Sequence, residues 1–252
     1  ERRLVTRAQL LDYMTQQFEE TYSPAEMRDD ALVLSAFDAL DPQLDLYALM
    51  LDLYVEQVAG FYDPEDEQIY VVVDDDRMGQ AERLTYAHEY THALQDQHYD
   101  LEALGLRDDA EREYDDDHLV AVRALVEGDA TLLMQHFLAA HYTREEMGTL
   151  MEEMRAMESP VLDAAPAVVG DTLMFPYVYG QHFVQALYDA GGWQAVDAAY
   201  ADPPRSTEHI LHPERYLADD QPQIVVLSPL TATLGAGWRQ IEANVAGEYF
   251  LR

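Results

Sequence analysis

The chain has 252 residues, 48% of them hydrophobic, so it is long enough to bury a sizeable core as one domain. It contains no run of about 18 apolar residues, which excludes a membrane-spanning helix. The 49 acidic residues outnumber the 15 basic ones and give a net charge of −34, which disfavours nucleic acid and anionic lipid as partners, while the absence of cysteine excludes thiolate-bound zinc and thiol catalysis.

The excess of acidic side chains has two interpretations. It forms a solvated surface of the kind that suits a protein working at high salt, or it attracts basic peptides. The chain begins at Glu1 without a methionine or a signal peptide. From this we expect a mature or trimmed form that is extracytoplasmic or secreted, with a cytoplasmic location as the alternative.

The first 58 residues predict three helices. These helices cover residues 6–21, a stretch that begins at Ser23, and a stretch from residue 41 to about residue 60. Ser23 followed three residues later by Glu26 forms a capping box, with Pro24 at the first helical position. We expect this N-terminal helical segment, residues 1–58, to pack on a core formed by residues 59–252.

Residues 60–73 predict a β-hairpin, because two runs of β-prone residues flank an acidic turn. Its second strand, residues 69–73, is expected to form the edge of a cleft. The next segment, residues 79–99, predicts a helix, because apolar side chains recur at spacings of three and four residues and neither glycine nor proline interrupts residues 81–95.

The remainder of the chain predicts further helices and one strand. The helices cover residues 116–141, 144–157, 164–190, 192–200 and 206–213, and the strand covers residues 223–228. We expect the helix at 164–190 to break at Pro176, because proline lacks the N–H that an interior helical position donates. The sequence therefore predicts an α+β fold that is predominantly α-helical, with a small β-hairpin or sheet before the helix at 79–99.

That helix carries His88-Glu89-Tyr90-Thr91-His92, the pattern H-E-x-x-H. Positions i and i+4 lie about 40° apart around a helix axis, so both imidazoles project from one face and can share a metal ion. The carboxylate of Glu89 can reach a water molecule at that metal. Two histidine ligands and a glutamate general base form the arrangement of zinc proteases, so the motif predicts a Zn²⁺ site.

Two residues compete to be the third protein ligand. His98 extends the motif to H-E-x-x-H-x-x-x-x-x-H, but Gln95 stands where this spacing requires a turn-forming glycine. If the helix continues, His98 lies about 240° from His92 and cannot reach the metal. Glu127 lies in an apolar helical stretch, where a carboxylate costs several kcal/mol unless it is paired or metal-bound. Gly128 beside it fits a close approach of two helices, so we favour Glu127.

The H-E-x-x-H motif followed on a second helix by Glu127-Gly128-Asp129-Ala130 resembles the gluzincin zinc metallopeptidases. The predicted hairpin before the motif helix is a further similarity to that group, in which the edge strand holds the peptide substrate in extended form. Residues 60–63, 69–73, 88–95, 127–130 and 206–216 also resemble an uncharacterised bacterial family of metallopeptidases. The resemblance implies a zincin-like catalytic domain at residues 59–252 that hydrolyses peptide or protein substrates.

The resemblance also implies a donor that stabilises the oxyanion, which gluzincins often take from a downstream histidine or tyrosine. The candidates are His212, Tyr216, Tyr179 and His182. We favour His212, because it precedes Pro213 at the end of a short polar helix, where a side chain can face a cleft.

Two acidic residues are candidates to orient the metal ligands. Asp96 lies four residues after His92 and therefore on the same helix face. Asp129 lies two residues after Glu127, so we expect it to face away from the metal unless Gly128 distorts the turn.

Two other functions stay open at this point. The chain is then either a catalytically silent helical binding module or a metal-dependent hydrolase of non-peptide substrates. A replaced general base would be the signature of the silent module, and Glu89 is intact.

Overall fold

The computed structural model describes residues 2–64, 66–73, 78–101, 103–106, 115–223, 225–228 and 230–252. In chain order the elements are β1 (Arg2–Val5), α1 (Arg7–Thr21), α2 (Pro24–Ala36), α3 (Leu46–Gln57), β2 (Gly60–Asp63), β3 (Gln68–Val72), α4 (Gln80–Tyr99), α5 (Asp116–His141), α6 (Arg144–Ala156), α7 (Pro160–Ala164), α8 (Ala167–Gly191), α9 (Trp193–Ala201), α10 (Thr207–Leu211), α11 (Pro213–Leu217), α12 (Thr231–Leu234) and α13 (Glu248–Leu251). A mostly helical fold with a small mixed sheet ahead of the long helices confirms the predicted fold class.

The three N-terminal helices begin at side-chain caps. Thr6 and Ser23 form capping boxes at α1 and α2, the second of which was predicted. The prediction that the third helix begins at residue 41 is wrong, because Asp41 instead forms a turn in which its side chain accepts a hydrogen bond from the Gln43 N–H at 2.8 Å. Helix α3 begins five residues later, after the N-cap Asp45.

The sheet has the order β1-β3-β2, with β1 parallel and β2 antiparallel to β3. Strand β1 was not predicted, because its four residues RRLV carry no alternating apolar pattern. Since β1 and β2 occupy both sides of β3, the prediction that the strand at residues 69–73 forms the cleft edge is wrong. The edge next to the motif helix belongs to β2.

Strands β2 and β3 pack closely on α4. Ile69 and Val71 of β3 form a buried cluster with Ala93 of α4. Gly60 makes the approach of β2 possible, because a Cβ at this position would lie 2.7 Å from the carbonyl oxygen of Tyr70 and 2.9 Å from the Thr85 side chain. The sheet is thereby held against the helix that carries the H-E-x-x-H motif.

Helices α5 and α8 form the centre of the main core. A Cβ on Gly128 would lie 2.2 Å from the backbone of Gly180, and a Cβ on Gly180 would lie 2.1 Å from the carbonyl oxygen of Ala124, so both positions require glycine. Helix α8 continues through Pro176, and the predicted break there is wrong. Pro176 and Phe175 are buried, and the packing of α8 outweighs the roughly 3 kcal/mol that proline costs inside a helix.

The predicted strand at residues 223–228 is also wrong. The described part of this stretch has no regular structure, and Val225, Val226 and Leu227 are exposed. A β-prone run forms a strand only where another strand offers a partner edge, and no strand pairs with it in the described structure. Among the helices that the structure describes, none is both long enough and apolar enough to cross a membrane.

Candidate metal centre

His88 and His92 of α4 meet Glu127 of α5 at one point. The Nε2 atom of His88 lies 3.1 Å from Oε2 of Glu127 and 3.1 Å from Nε2 of His92, and Nε2 of His92 lies 3.4 Å from the same carboxylate oxygen. Ligands on a tetrahedral Zn²⁺ with bonds of about 2.0–2.1 Å lie roughly 3.3 Å apart. These three side chains therefore form a group that could hold a metal ion, with the ligand spacing of a tetrahedral site.

The charges in this group favour a cation at the meeting point. Burial lowers the pKa of His92, but the charges of Glu127 and Glu89 and the hydrogen bonds to Glu127 and Gln95 together outweigh burial and raise this pKa to about 9. Burial opposes ionisation of Glu127, but the two histidines hold its pKa well below the usual range. The carboxylate therefore stays ionised and requires a positive partner, which a protonated imidazole or a metal ion supplies.

The imidazole of His92 is oriented by a chain of buried hydrogen bonds. Its Nδ1–H donates to Oε1 of Gln95 at 2.8 Å, which leaves Nε2 free for a metal. The Gln95 amide donates to the carbonyl oxygen of Val126 at 3.0 Å and to Oδ2 of Asp129 at 2.8 Å, and the Tyr200 hydroxyl also donates to Asp129. Asp129 thus acts on His92, the candidate ligand, through Gln95. The position of Gln95, three residues after His92, could have indicated this contact from the sequence.

Glu89 of α4 is 8% exposed, and its carboxylate is hydrogen-bonded to the Tyr62 backbone of β2. Burial raises the pKa of Glu89, while the neighbouring histidines and a hydrogen bond from the Tyr62 backbone lower it. The Tyr62 hydroxyl donates to Oδ2 of Asp96 at 2.9 Å. Asp96, predicted as a residue that orients a ligand, therefore holds the strand residue that contacts Glu89.

His98 lies apart from the group. Its side chain is exposed, and its Nδ1 atom lies 2.8 Å from the carbonyl oxygen of Leu94 on the same helix. Helix α4 continues to Tyr99 without the turn that would bring this imidazole back. The geometry thus agrees with the choice of Glu127 over His98.

Tyr177 of α8 is the contact that sequence reasoning missed. Its hydroxyl forms a hydrogen bond with Glu127, whose negative charge raises the pKa of the phenol well above its usual value. The Tyr177 and His88 rings lie 6.2 Å apart, and the tyrosine side chain is 37% exposed. Gly180 could have indicated the contact between Tyr177 and Glu127. It lies three positions after Tyr177, and a small residue there marks the face of α8 that approaches α5.

The four predicted oxyanion donors contact other parts of the protein. Nε2 of His212 lies 3.0 Å from Oε1 of Glu248, and the Tyr216 hydroxyl donates to the carbonyl oxygen of Asp202 at 2.7 Å. The Tyr179 ring packs against the rings of Phe175, His182 and Tyr249. Their catalytic roles stay predictions.

Known proteins add no assignment to this geometry. No protein-family model, no curated protein and no solved structure matches the chain. The His88–His92–Glu127 group is therefore a possible metal site that rests on its own chemistry.

Proposed function

We propose that the chain is a zinc-dependent metallopeptidase. The observation that carries the proposal is the meeting of three zinc-type ligand atoms at 3.1–3.4 Å next to the buried carboxylate of Glu89. Two imidazoles and one carboxylate suit zinc, and three protein ligands leave a fourth position for substrate chemistry. The resemblance of the motif and of residues 127–130 to gluzincins supports the same reaction.

In this proposal His88, His92 and Glu127 would hold the metal, and Glu89 moves the protons. A bound zinc ion supplies a lowered pKa for a water molecule and polarises the scissile carbonyl. Glu89 accepts a proton from the attacking water and later delivers it to the leaving amine. The Tyr62 N–H fixes the Glu89 carboxylate between strand and helix, so the base is positioned before substrate arrives.

The outer edge of β2 is the surface that we propose for the peptide backbone. The Val72 N–H donates to the carbonyl oxygen of Ala59 at 3.1 Å, and in an antiparallel pair such bonds recur at every second residue. The backbone groups of Phe61 therefore bond to β3, whereas those of Gly60 and Tyr62 point outward, where the Tyr62 N–H already donates to Glu89. The Tyr62 carbonyl oxygen and the Gly60 backbone are the groups that we propose for the peptide. A peptide that pairs with this edge would lie extended beside Glu89.

Tyr177 is our leading candidate for the oxyanion donor. Its hydroxyl already contacts Glu127, so a small side-chain rotation would direct it to an oxygen near the metal position. His212, Tyr216 and Tyr179 stay in the proposal as further candidates.

The test compares the wild type with Glu89→Gln on a fluorogenic peptide library, with and without a chelator. We expect chelator-sensitive cleavage by the wild type, and a loss of at least about 100-fold in Glu89→Gln, because the amide cannot accept the proton. Glu82→Gln, on the same helix, is the matched control and should retain activity. Bound zinc without turnover of any substrate would support the silent binding module. Chelator-sensitive hydrolysis of esters but not peptides would support the non-peptide hydrolase.

A further inference from the structure

Arg123 shares with Glu127 the only solvent-reached face in one stretch of α5. Between residues 121 and 130 every other side chain is buried, whereas Arg123 is exposed and Glu127 is partly exposed. The two residues are four positions apart and lie on one helix face, with Cβ atoms about 6 Å from each other. Arg123 and Glu127 therefore share the face of α5 that solvent reaches beside the candidate metal site.

The charge of Arg123 acts on a side chain that contacts Glu127. It partly offsets the rise in the pKa of the Tyr177 phenol, so the guanidinium lies near the hydroxyl that contacts Glu127. Among the residues that the structure describes, no carboxylate lies within 4.0 Å of the Arg123 guanidinium, whereas five other arginines have such a partner. Within the described structure, Arg123 is therefore a cation without an ion-pair partner beside the Tyr177 hydroxyl, and its guanidinium is open to a ligand.

We propose that Arg123 binds a carboxylate of the substrate and so selects peptides that carry one near the scissile bond. This inference rests on the proposed peptidase function. A guanidinium binds a carboxylate through two parallel hydrogen bonds, which a solvated acidic surface elsewhere cannot offer. A net charge of −34 repels anionic peptides at long range. A short-range ion pair with Arg123 would compensate for this repulsion when such a peptide binds.

The reach of the side chain limits where the carboxylate lies. One helical turn separates Arg123 from Glu127, and an extended peptide advances about 3.3 Å per residue. The carboxylate therefore lies within about three residues of the cleaved bond. It is either the C-terminal carboxylate of the substrate or an acidic side chain, and both present the same group to the guanidinium.

Binding to the zinc-loaded Glu89→Gln protein tests the inference without turnover. Calorimetry compares one parent peptide in three forms: with a free C-terminal carboxylate, with a C-terminal amide, and with the amide plus an aspartate within three residues of the bond that the wild type cleaves. If the wild type cleaves none, the aspartate is moved through every position. We expect the favoured carboxylate form to bind about 10–100-fold more tightly than the neutral form, as for a charge-assisted hydrogen bond of about 1.5–3 kcal/mol.

Adding Arg123→Gln to this protein should reduce the ratio of the two affinities to about one, and Arg123→Lys should restore part of it. Arg28→Gln, an exposed arginine on α2, is the matched control and should leave the ratio unchanged. The source of the carboxylate is identified by which peptide binds more tightly, the one with the free C-terminal carboxylate or the one with the aspartate side chain. A ratio that survives Arg123→Gln, an equal loss of affinity for all forms, or the absence of any preference would overturn the inference. Absence of peptide cleavage by the wild type would instead count against the proposed function.

Discussion

Gln95 links His92 to the buried carboxylate of Asp129. Its side-chain oxygen accepts from Nδ1 of His92 at 2.8 Å, and its amide donates to Asp129 at 2.8 Å, so one side chain couples the position of α5 to a candidate ligand on α4. The tautomer of His92 and the spacing of the two helices are therefore set together.

This relationship predicts that Gln95→Met weakens zinc binding. Methionine has a similar length but accepts no hydrogen bond from Nδ1, so His92 loses its fixed orientation. Loss of such a partner costs about 10–100-fold in metal affinity. Competition with a chromophoric chelator measures the change, and Gln97→Met, an exposed position on the same helix, is the control.

A companion variant separates orientation from packing. Gln95→Glu keeps an acceptor for His92, so it should bind zinc more tightly than Gln95→Met even though a carboxylate beside Asp129 lowers stability. Equal weakening of zinc binding by the two substitutions would show that Gln95 acts by packing alone.

We expect one zinc ion per chain, with Glu127 as the third ligand. Glu127→Ala removes the carboxylate oxygen that lies 3.1 Å from His88, so the purified variant should lose its metal. His98→Ala should retain one equivalent, because that imidazole bonds to its own helix. Metal analysis of both variants checks this, and zinc retained by Glu127→Ala but lost from His98→Ala would reverse the assignment.

The ligand group was predictable because its signals are local. The spacing of His88 and His92 follows from helix geometry, and Glu127 is conspicuous as a carboxylate within an apolar stretch. The capping box at Ser23 is equally local. None of these predictions required knowledge of which segments contact each other in the folded protein.

The remaining features depend on packing between distant segments. Strand β1 forms because β3 offers an edge, and α8 continues through Pro176 because Gly128 and Gly180 bring two helices into contact. Tyr177 reaches Glu127 across that same contact. A single sequence contains the residues but not the pairing, so the edge strand and the tyrosine at the site were missed.

The oxyanion donor can be assigned by comparing single substitutions. We expect Tyr177→Phe to lower kcat and kcat/KM together by about 100-fold or more while zinc stays bound, because the lost hydroxyl would stabilise the oxyanion that forms in the transition state. Tyr216→Phe removes a bond to the Asp202 backbone and should mainly lower stability. A fall in kcat for His212→Ala with Tyr177→Phe unaffected would assign the role to His212.

Neighbouring carboxyl groups on α2 have opposite environments. Burial, followed by repulsion from Glu242, Asp116, Glu26 and Asp29, raises the pKa of Asp30 from 3.8 to about 6. A carboxyl with a raised pKa in the folded state stabilises the protein in its neutral form, and this contribution is lost as the pH rises through about 6.

Asp30→Asn should therefore raise the melting temperature at pH 8 and have little effect near pH 4. A shift of about two pKa units corresponds to roughly 3 kcal/mol, but Asp30 is only partly buried, so screening by solvent reduces the gain to about 1 kcal/mol, or roughly 3 °C. Asp29→Asn is the matched control: a hydrogen bond from Arg239 lowers the pKa of Asp29, so its loss should destabilise the protein at pH 8 and matter less as the pH falls below 3.8. Thermal unfolding of both variants between about pH 2 and pH 8 measures the two trends, and destabilisation by Asp30→Asn at pH 8 would contradict the assigned environment.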